Sequence, residues 1–157
     1  MYDIIEQHRI QDQILSERLN TVLPQVMRET GTECWVIASR EYNEDPMFQH
    51  IVPSMYPHAR RMTILVFAMK DDKLERISVS FPDQFLDRYY RHDFDRTKET
   101  QMQALARVLH ELDPAKITLN ISDAVAPPTP PGENIRRKKS ADPRICMVKG
   151  KKTDSVL

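Results

Sequence analysis

Glycine is nearly missing from this chain: 157 residues contain three, Gly31, Gly132 and Gly150. A glycine-rich phosphate cradle needs several glycines in one turn, and a Gly-x-Ser-x-Gly nucleophile elbow needs two around a serine, so both are excluded. Cysteine is almost as scarce. Cys34 and Cys146 are too few and too far apart for a disulfide framework, which makes reduced thiols and a cytoplasmic location the expectation. No apolar run approaches the roughly 18–20 residues that span a bilayer. The opening MYDIIEQHRIQDQ lacks the basic-then-apolar order of a secretory signal. Charge of one sign is not in excess either, with 23 Lys and Arg against 23 Asp and Glu. The chain as a whole therefore has no field to draw nucleic acid or an acidic membrane, and neither partner is expected.

The balance is local rather than uniform. From Pro127 onward there are eight basic and three acidic residues and five of the eleven prolines. The reading is a compact, mildly acidic domain over residues 1–126, followed by a proline-rich basic tail over 127–157 expected to be mostly disordered.

Within the domain the periodicity changes several times. Ile10, Ile14, Leu15, Leu19, Val22 and Val26 recur at helical spacing between about Asp3 and Thr30, with a kink or restart at Pro24 and a C-cap at Gly31. Cys34 to Ala38 is an apolar run too short for a helix and reads as a buried strand. MTILVFAM at Met62–Met69 is a stronger one, apolar at nearly every position as a central strand is. Lys70-Asp71-Asp72-Lys73 turns the chain back into a strand where Ile77, Val79 and Phe81 alternate with Arg76, Ser78 and Ser80, a half-exposed pattern. Thr97 to Leu112 reads as a helix capped by Thr97, with Met102, Leu105, Leu109 and Leu112 on one face. Ile117, Leu119 and Ile121 form a fourth strand. The order predicts an α/β domain with a small mixed sheet flanked by helices, with Trp35, Val36, Ile37, Ile64, Val66, Phe67, Ile117 and Leu119 in its core.

Most chemistry-bearing residues read as structural. The five histidines, His8, His50, His58, His92 and His110, lie singly, without the close ligand spacing of zinc sites. Cys34 sits in an apolar run, which raises a thiol's pKa and makes it inert. Asp71-Asp72 and Asp93-Phe94-Asp95 fall in polar turns where carboxylates face water. Arg136-Arg137-Lys138-Lys139 lacks the interleaved aromatics of a nucleic-acid surface. The terminal Ser155-Val156-Leu157 has the form of a captured C-terminal carboxylate, a common ending.

The exception is SREYNEDPMFQHIVPSMYPHARR, residues Ser39 to Arg61. It leaves a strand end, where ligands bind in α/β sheets, and returns at the next strand. Arg40, Glu41, Tyr42, Asn43, Glu44, Arg60 and Arg61 therefore gather at one rim, as scaffold pairs or as a docking or substrate-cleft edge. The expected arrangement is mixed: Arg40 and one of Arg60 or Arg61 pair with the loop's acids, while Tyr42 and Asn43 face the cleft.

An amphipathic helix running into CWVIASREYNEDPMFQHIVP, then ARRMTILVF, then a strand ending in Asn120 with Ser122 behind it, resembles the N-terminal domain of the creatinase, prolidase and Xaa-Pro aminopeptidase family. The resemblance covers roughly residues 10–126. It implies a ribonuclease H-like mixed sheet and a non-catalytic role in shaping a substrate cleft and in dimer contacts. In the family a pita-bread domain follows and binds two divalent metal ions. None of its ligands has a counterpart here, so no cofactor is expected in this chain. The chain is expected to be a stand-alone or truncated domain, partnered by a second copy or by a pita-bread catalytic domain. One alternative is a subunit of a functional Xaa-Pro peptidase whose catalytic half is a separate chain. Another is a module binding through its basic tail. Limited trypsin digestion is expected to cut first among Arg136–Lys139 and leave a resistant core ending near Ala126; first cuts between Cys34 and Ile121 would refute that division.

Overall fold

A computed structural model describes residues 3–121 and, as backbone, the strand at 145–149. Its strands are β1 (Cys34–Arg40), β2 (Met62–Lys70), β3 (Lys73–Ser78), β4 (Arg91–His92), β5 (Ile117–Ile121) and β6 (Ile145–Lys149). They form one six-stranded sheet in the order β4-β3-β2-β1-β5-β6. Only β2 runs against its neighbours: it is antiparallel to β1 and β3, while the β1–β5, β5–β6 and β3–β4 pairs are parallel.

The composition of β2 explains its place. Thr63 through Ala68 are all buried, as they must be in a strand with partners on both edges and a layer on both faces. Asp71 and Asp72 both hold positive φ, 48° and 64°, the left-handed pair a two-residue hairpin needs to match the strands' twist. β3 departs from the half-exposed expectation, because Ser78 and Ser80 are buried as well as Ile77 and Val79. Ser80 is buried because its Oγ accepts the Ile64 N–H at 2.9 Å, standing in for a backbone carbonyl just beyond the end of β3.

One face of the sheet carries α1 (Ile4–Glu17), a π-helical turn (Arg18–Val22) and α2 (Leu23–Glu29) as one continuous rod. Leu15, Leu19 and Met27 pack there with Ile37, Leu65 and Phe67. The expected stripe is corrected in part, since Ile14, Val22 and Val26 stay 42–48% exposed. Residues four apart drift by about 40° per step around an α-helix of 3.6 residues per turn. The wider π turn offsets that drift, so the inward row runs Leu15, Leu19, Leu23 and Met27 instead, with Leu23 half-buried. Pro24 follows that turn in the first turn of α2, where its missing N–H and its ring are tolerated. At the far end Gly31 (φ 62°) closes a Schellman motif: Thr32 N–H reaches Met27 O at 2.8 Å and Gly31 N–H reaches Arg28 O at 3.2 Å.

The other face carries α4 (Gln101–Leu112), whose Ala104 and Val108 pack on Val36, Ile64, Val66 and Ile77. Three layers result. Thr100 rather than Thr97 caps α4, in a capping box with Gln103. Thr97 is occupied elsewhere: its N–H and hydroxyl donate to Asp95 Oδ1 at 2.9 and 2.6 Å. The packed face of α4 is accordingly rotated, leaving Met102 50% exposed while Leu105, Leu109 and Leu112 pack at the margin. Of the predicted core, Trp35 and Leu119 are half-buried and the other six residues are buried.

The expectation of a structureless tail is corrected at Ile145–Lys149, which pair in register with β5. Ile145-Cys146-Met147-Val148 is itself a short apolar run of strand length, and β5 would otherwise leave its outer edge unpaired. The boundary at Ala126, the Arg136–Lys139 cluster and Ser155-Val156-Leu157 lie outside the described residues. Among the described residues no helix is long and apolar enough to cross a membrane. A Cβ added at Gly31 meets nothing within 4 Å, so Gly31→Ala is expected to cost only the left-handed backbone penalty of about 1–2 kcal/mol. Urea titration should show a lower midpoint with an unchanged m-value, and an unchanged midpoint would contradict the capping geometry.

Candidate functional site

β1 ends at Arg40, and the chain reverses at once. Arg40 N–H donates to Asn43 O at 3.2 Å and Asn43 N–H to Arg40 O at 2.9 Å, while Glu41 N–H donates to Arg61 O at 3.0 Å. Tyr42 and Arg61 both sit at positive φ, 64° and 54°, as tight reversals demand. A rigid tip results, containing Arg40, Glu41, Tyr42, Asn43 and Arg61. Tyr42 is 97% exposed. Neither Arg40 nor Arg61 has a carboxylate partner within 4.0 Å among the described residues, and the expected pairing of Arg40 with a loop acid is corrected.

Two of the loop's acids, Glu44 and Asp45, are used internally, while Glu41 is exposed. Glu44 Oε1 accepts the Ala59 N–H at 2.6 Å and lies 3.5 Å from His58 Nδ1. Asp45 Oδ1 accepts the Met47 N–H at 2.8 Å, its Oδ2 accepts Asn120 Nδ2 at 2.9 Å, and its own N–H donates to buried Ser39 Oγ at 3.1 Å. Asn120 in turn accepts the Trp35 indole N–H at 3.1 Å. The loop is thereby tied to β1 and β5 by a polar seam. Behind it the short α3 (Phe48–Ile51) sends Phe48 and Ile51 into the core with Val52, Tyr56 and Ala59. Tyr90 donates its hydroxyl to Ile51 O, and Tyr56 bonds Thr63 at 2.9 Å. Glu44 and Asp45 are thus engaged by backbone N–H groups and by Asn120, and neither is free to pair with Arg40 or Arg61.

Arg60 does pair, but outside the loop. Its Nη1 lies 3.2 Å from Asp83 Oδ2, with side-chain exposures of 67% and 6%, and its guanidinium sits 5.6 Å from the Tyr56 ring centroid. Asp83 also accepts the Phe85 and Leu86 N–H groups at 2.9 and 3.2 Å, opening the 3-10 turn at Leu86–Arg88. Glu44 and Arg60 are thus scaffold, separate from the exposed tip. The sequence reading missed Ser39, Asp83 and Asn120. Pro82-Asp83 before an aromatic was a turn signal that could have found one of them.

Other chemistry-bearing residues among those described sit in structural contacts. Burial, aided by the nearby Glu33 charge, pushes the Cys34 thiol up to about 12, so it is no nucleophile at neutral pH. The carboxylates expected only to face water are corrected at Asp93, which is half-buried and bonds Arg107 at 2.9 Å and Arg91 at 2.8 Å. Arg107 also meets Glu99 at 2.6 Å and Glu111 at 3.2 Å; hydrogen bonds to Glu99, Asp93 and Glu111 raise its pKa. Hydrogen bonds from Thr97 and Lys98 lower that of Asp95. Among the described residues no three His, Cys, Asp or Glu side chains converge as metal ligands. A groove of about 370 Å³ runs between α1 and the α3 segment, lined by Ile14, Arg18, His50, Pro53 and Ser54 among others. None of the seven loop residues lines it.

These contacts order the expected stabilities. Arg60→Ala, losing an exposed partner, is expected to cost about 0–1 kcal/mol. Asp83→Ala leaves backbone donors unpaired and is expected to cost about 1–3 kcal/mol. A double-mutant cycle read by urea unfolding should show coupling between Arg60 and Asp83 and none between Arg60 and Glu44; the reverse pattern would contradict the pairing. No family model, curated protein or solved structure matches the chain.

Proposed function

We propose that this domain is a non-catalytic docking module, resembling the N-terminal domain of creatinase, prolidase and Xaa-Pro aminopeptidases. It associates in the cytoplasm with a second copy of itself or with a pita-bread catalytic unit on another polypeptide. In this reading the chain holds no cofactor of its own, and the two divalent ions belong to that catalytic unit. A mixed sheet in which only β2 is reversed, with helices on both faces, agrees with the ribonuclease H-like arrangement that the resemblance implies.

The observation that carries the docking role is the tip. Interfaces are anchored by aromatic and arginine side chains, and an anchor that is already rigid loses little freedom on binding. Tyr42 is 97% exposed on a backbone held by three hydrogen bonds, flanked by Arg40 and Arg61. Among the described residues no hydrogen bond or ring contact engages the Tyr42 side chain.

Tyr42→Ala and the double change Arg40→Ala/Arg61→Ala are expected to leave stability within about 0.5 kcal/mol. Both should weaken self-association, or association with a supplied pita-bread unit, by about 2 kcal/mol or more in sedimentation experiments. Unchanged association in both assays would remove the docking role. Loading with divalent metal ions in the presence of a proline-containing dipeptide should give no turnover by the chain alone; stoichiometric metal uptake with hydrolysis would overturn the non-catalytic reading.

A further inference from the structure

The outer edge of β5 is closed from far along the chain. Five positions pair in parallel, from Ile117 with Ile145 to Ile121 with Lys149, and among the described residues β6 is the outermost strand on that side. The centre of the sheet is paired more extensively: β2 has seven antiparallel pairs with β1 and six with β3, and β2 and β3 are joined by the Asp71-Asp72 turn. Parallel pairs are slightly less stable per residue than antiparallel ones. The connection that brings β6 to β5 is residues 122–144, with prolines at 127, 128, 130, 131 and 143 and no apolar periodicity. Closing a connection of that length has an entropic cost that a two-residue turn avoids. β6 therefore resembles a ligand on a tether more than an integral layer of the fold.

We infer that the β5 edge is a strand-acceptor site and that Ile145–Lys149 is its tethered, exchangeable occupant. The edge takes an extended segment running parallel to β5. The resident sequence, Ile-Cys-Met-Val-Lys, defines the preferred chemistry as four apolar residues followed by a cation. Recognition is by strand addition: backbone hydrogen bonds supply affinity, and alternate side chains supply selectivity. The same segment supplied in trans competes with the tethered one. This site does not depend on the docking role assigned to Tyr42.

The register supplies the probe. Thr118 stands opposite Cys146, and neighbouring strands lie about 4.7–4.9 Å apart, within the 4.4–6.8 Å span of disulfide Cα atoms. In the full chain at micromolar concentration, Thr118→Cys is expected to form an intrachain disulfide on mild oxidation. It should do so at least tenfold faster than the out-of-register control Asn120→Cys. Rates no faster than the control, or cross-linking mainly between chains, would overturn the tethered arrangement.

Exchange is then read by titrating the peptide Pro-Arg-Ile-Ser-Met-Val-Lys-Gly, residues 143–150 with serine for Cys146, against the Thr118→Cys chain. A resident strand on the same chain competes at about millimolar effective concentration, so amide shifts at 117–121 should saturate only at several millimolar peptide while the chain is reduced. They should vanish in the oxidised, locked chain. Met147→Pro, which disables the resident strand in an otherwise unchanged chain, should lower the peptide needed at least tenfold. Equal shifts in the locked chain, or no binding to the Met147→Pro chain, would show that β5 accepts no exchangeable strand.

Discussion

A strand buried on both faces and paired on both edges leaves little freedom to what surrounds it. β2 is that strand. Its apolar run needs β1 and β3 to satisfy its backbone, because an unpaired buried N–H or carbonyl costs about as much as a lost hydrogen bond. It also needs one helical layer on each face to keep water from its side chains. The α1–α2 rod and α4 supply those layers, with Phe67 directed to one and Ile64 and Val66 to the other. The turn at Asp71-Asp72 is short because β3 must return directly alongside. The segment from Ser39 to Arg61 is long because it must leave β1 and re-enter at the adjacent start of β2 while burying side chains of its own.

That segment also shows how a scaffold and an exposed tip can share one loop. Phe48, Ile51, Tyr56 and Ala59 belong to the core, so the loop is a packed part of the domain. Its backbone N–H groups at Ala59, Met47 and Asp45 find acceptors in Glu44, Asp45 and Ser39. Carboxylates turned inward in this way cannot also neutralise arginines. Arg60 finds Asp83 from another segment, whereas Arg40 and Arg61 remain at the rim beside Tyr42. Glu44 and Asp45 are therefore not available to the tip, where Arg40, Tyr42 and Arg61 stand with exposed Glu41.

The α/β class, the β2–β3 hairpin and the helix stop at Gly31 were legible because each rests on local chemistry: a continuous apolar run, a turn between two strands, a glycine where left-handed backbone is needed. The gathering of Arg40, Tyr42 and Arg61 was legible too, since strand ends adjacent in sequence order return to one rim. What was not legible depended on contacts between distant segments. Asp83 lies far from Arg60 in sequence, and Asn120 far from Asp45. Thr97 matched the pattern of a helix cap as well as Thr100 did, until Asp95 took up its hydroxyl. The shifted stripe of the α1–α2 rod follows from a π turn that no spacing rule of 3.6 residues anticipates.

The central claim is that the Ser39–Arg61 loop is a rigid part of the domain from which a few side chains project. Native-state hydrogen exchange of the loop's own backbone tests it most directly, because local openings of a packed segment follow the stability of the unit to which it belongs. The amides of Asn43, Asp45, Met47 and Ala59 are expected to exchange slowly, with protection following that of β1 as denaturant is added. Exchange of these amides at the rates of an unstructured chain, while β1 and β2 stay protected, would contradict it.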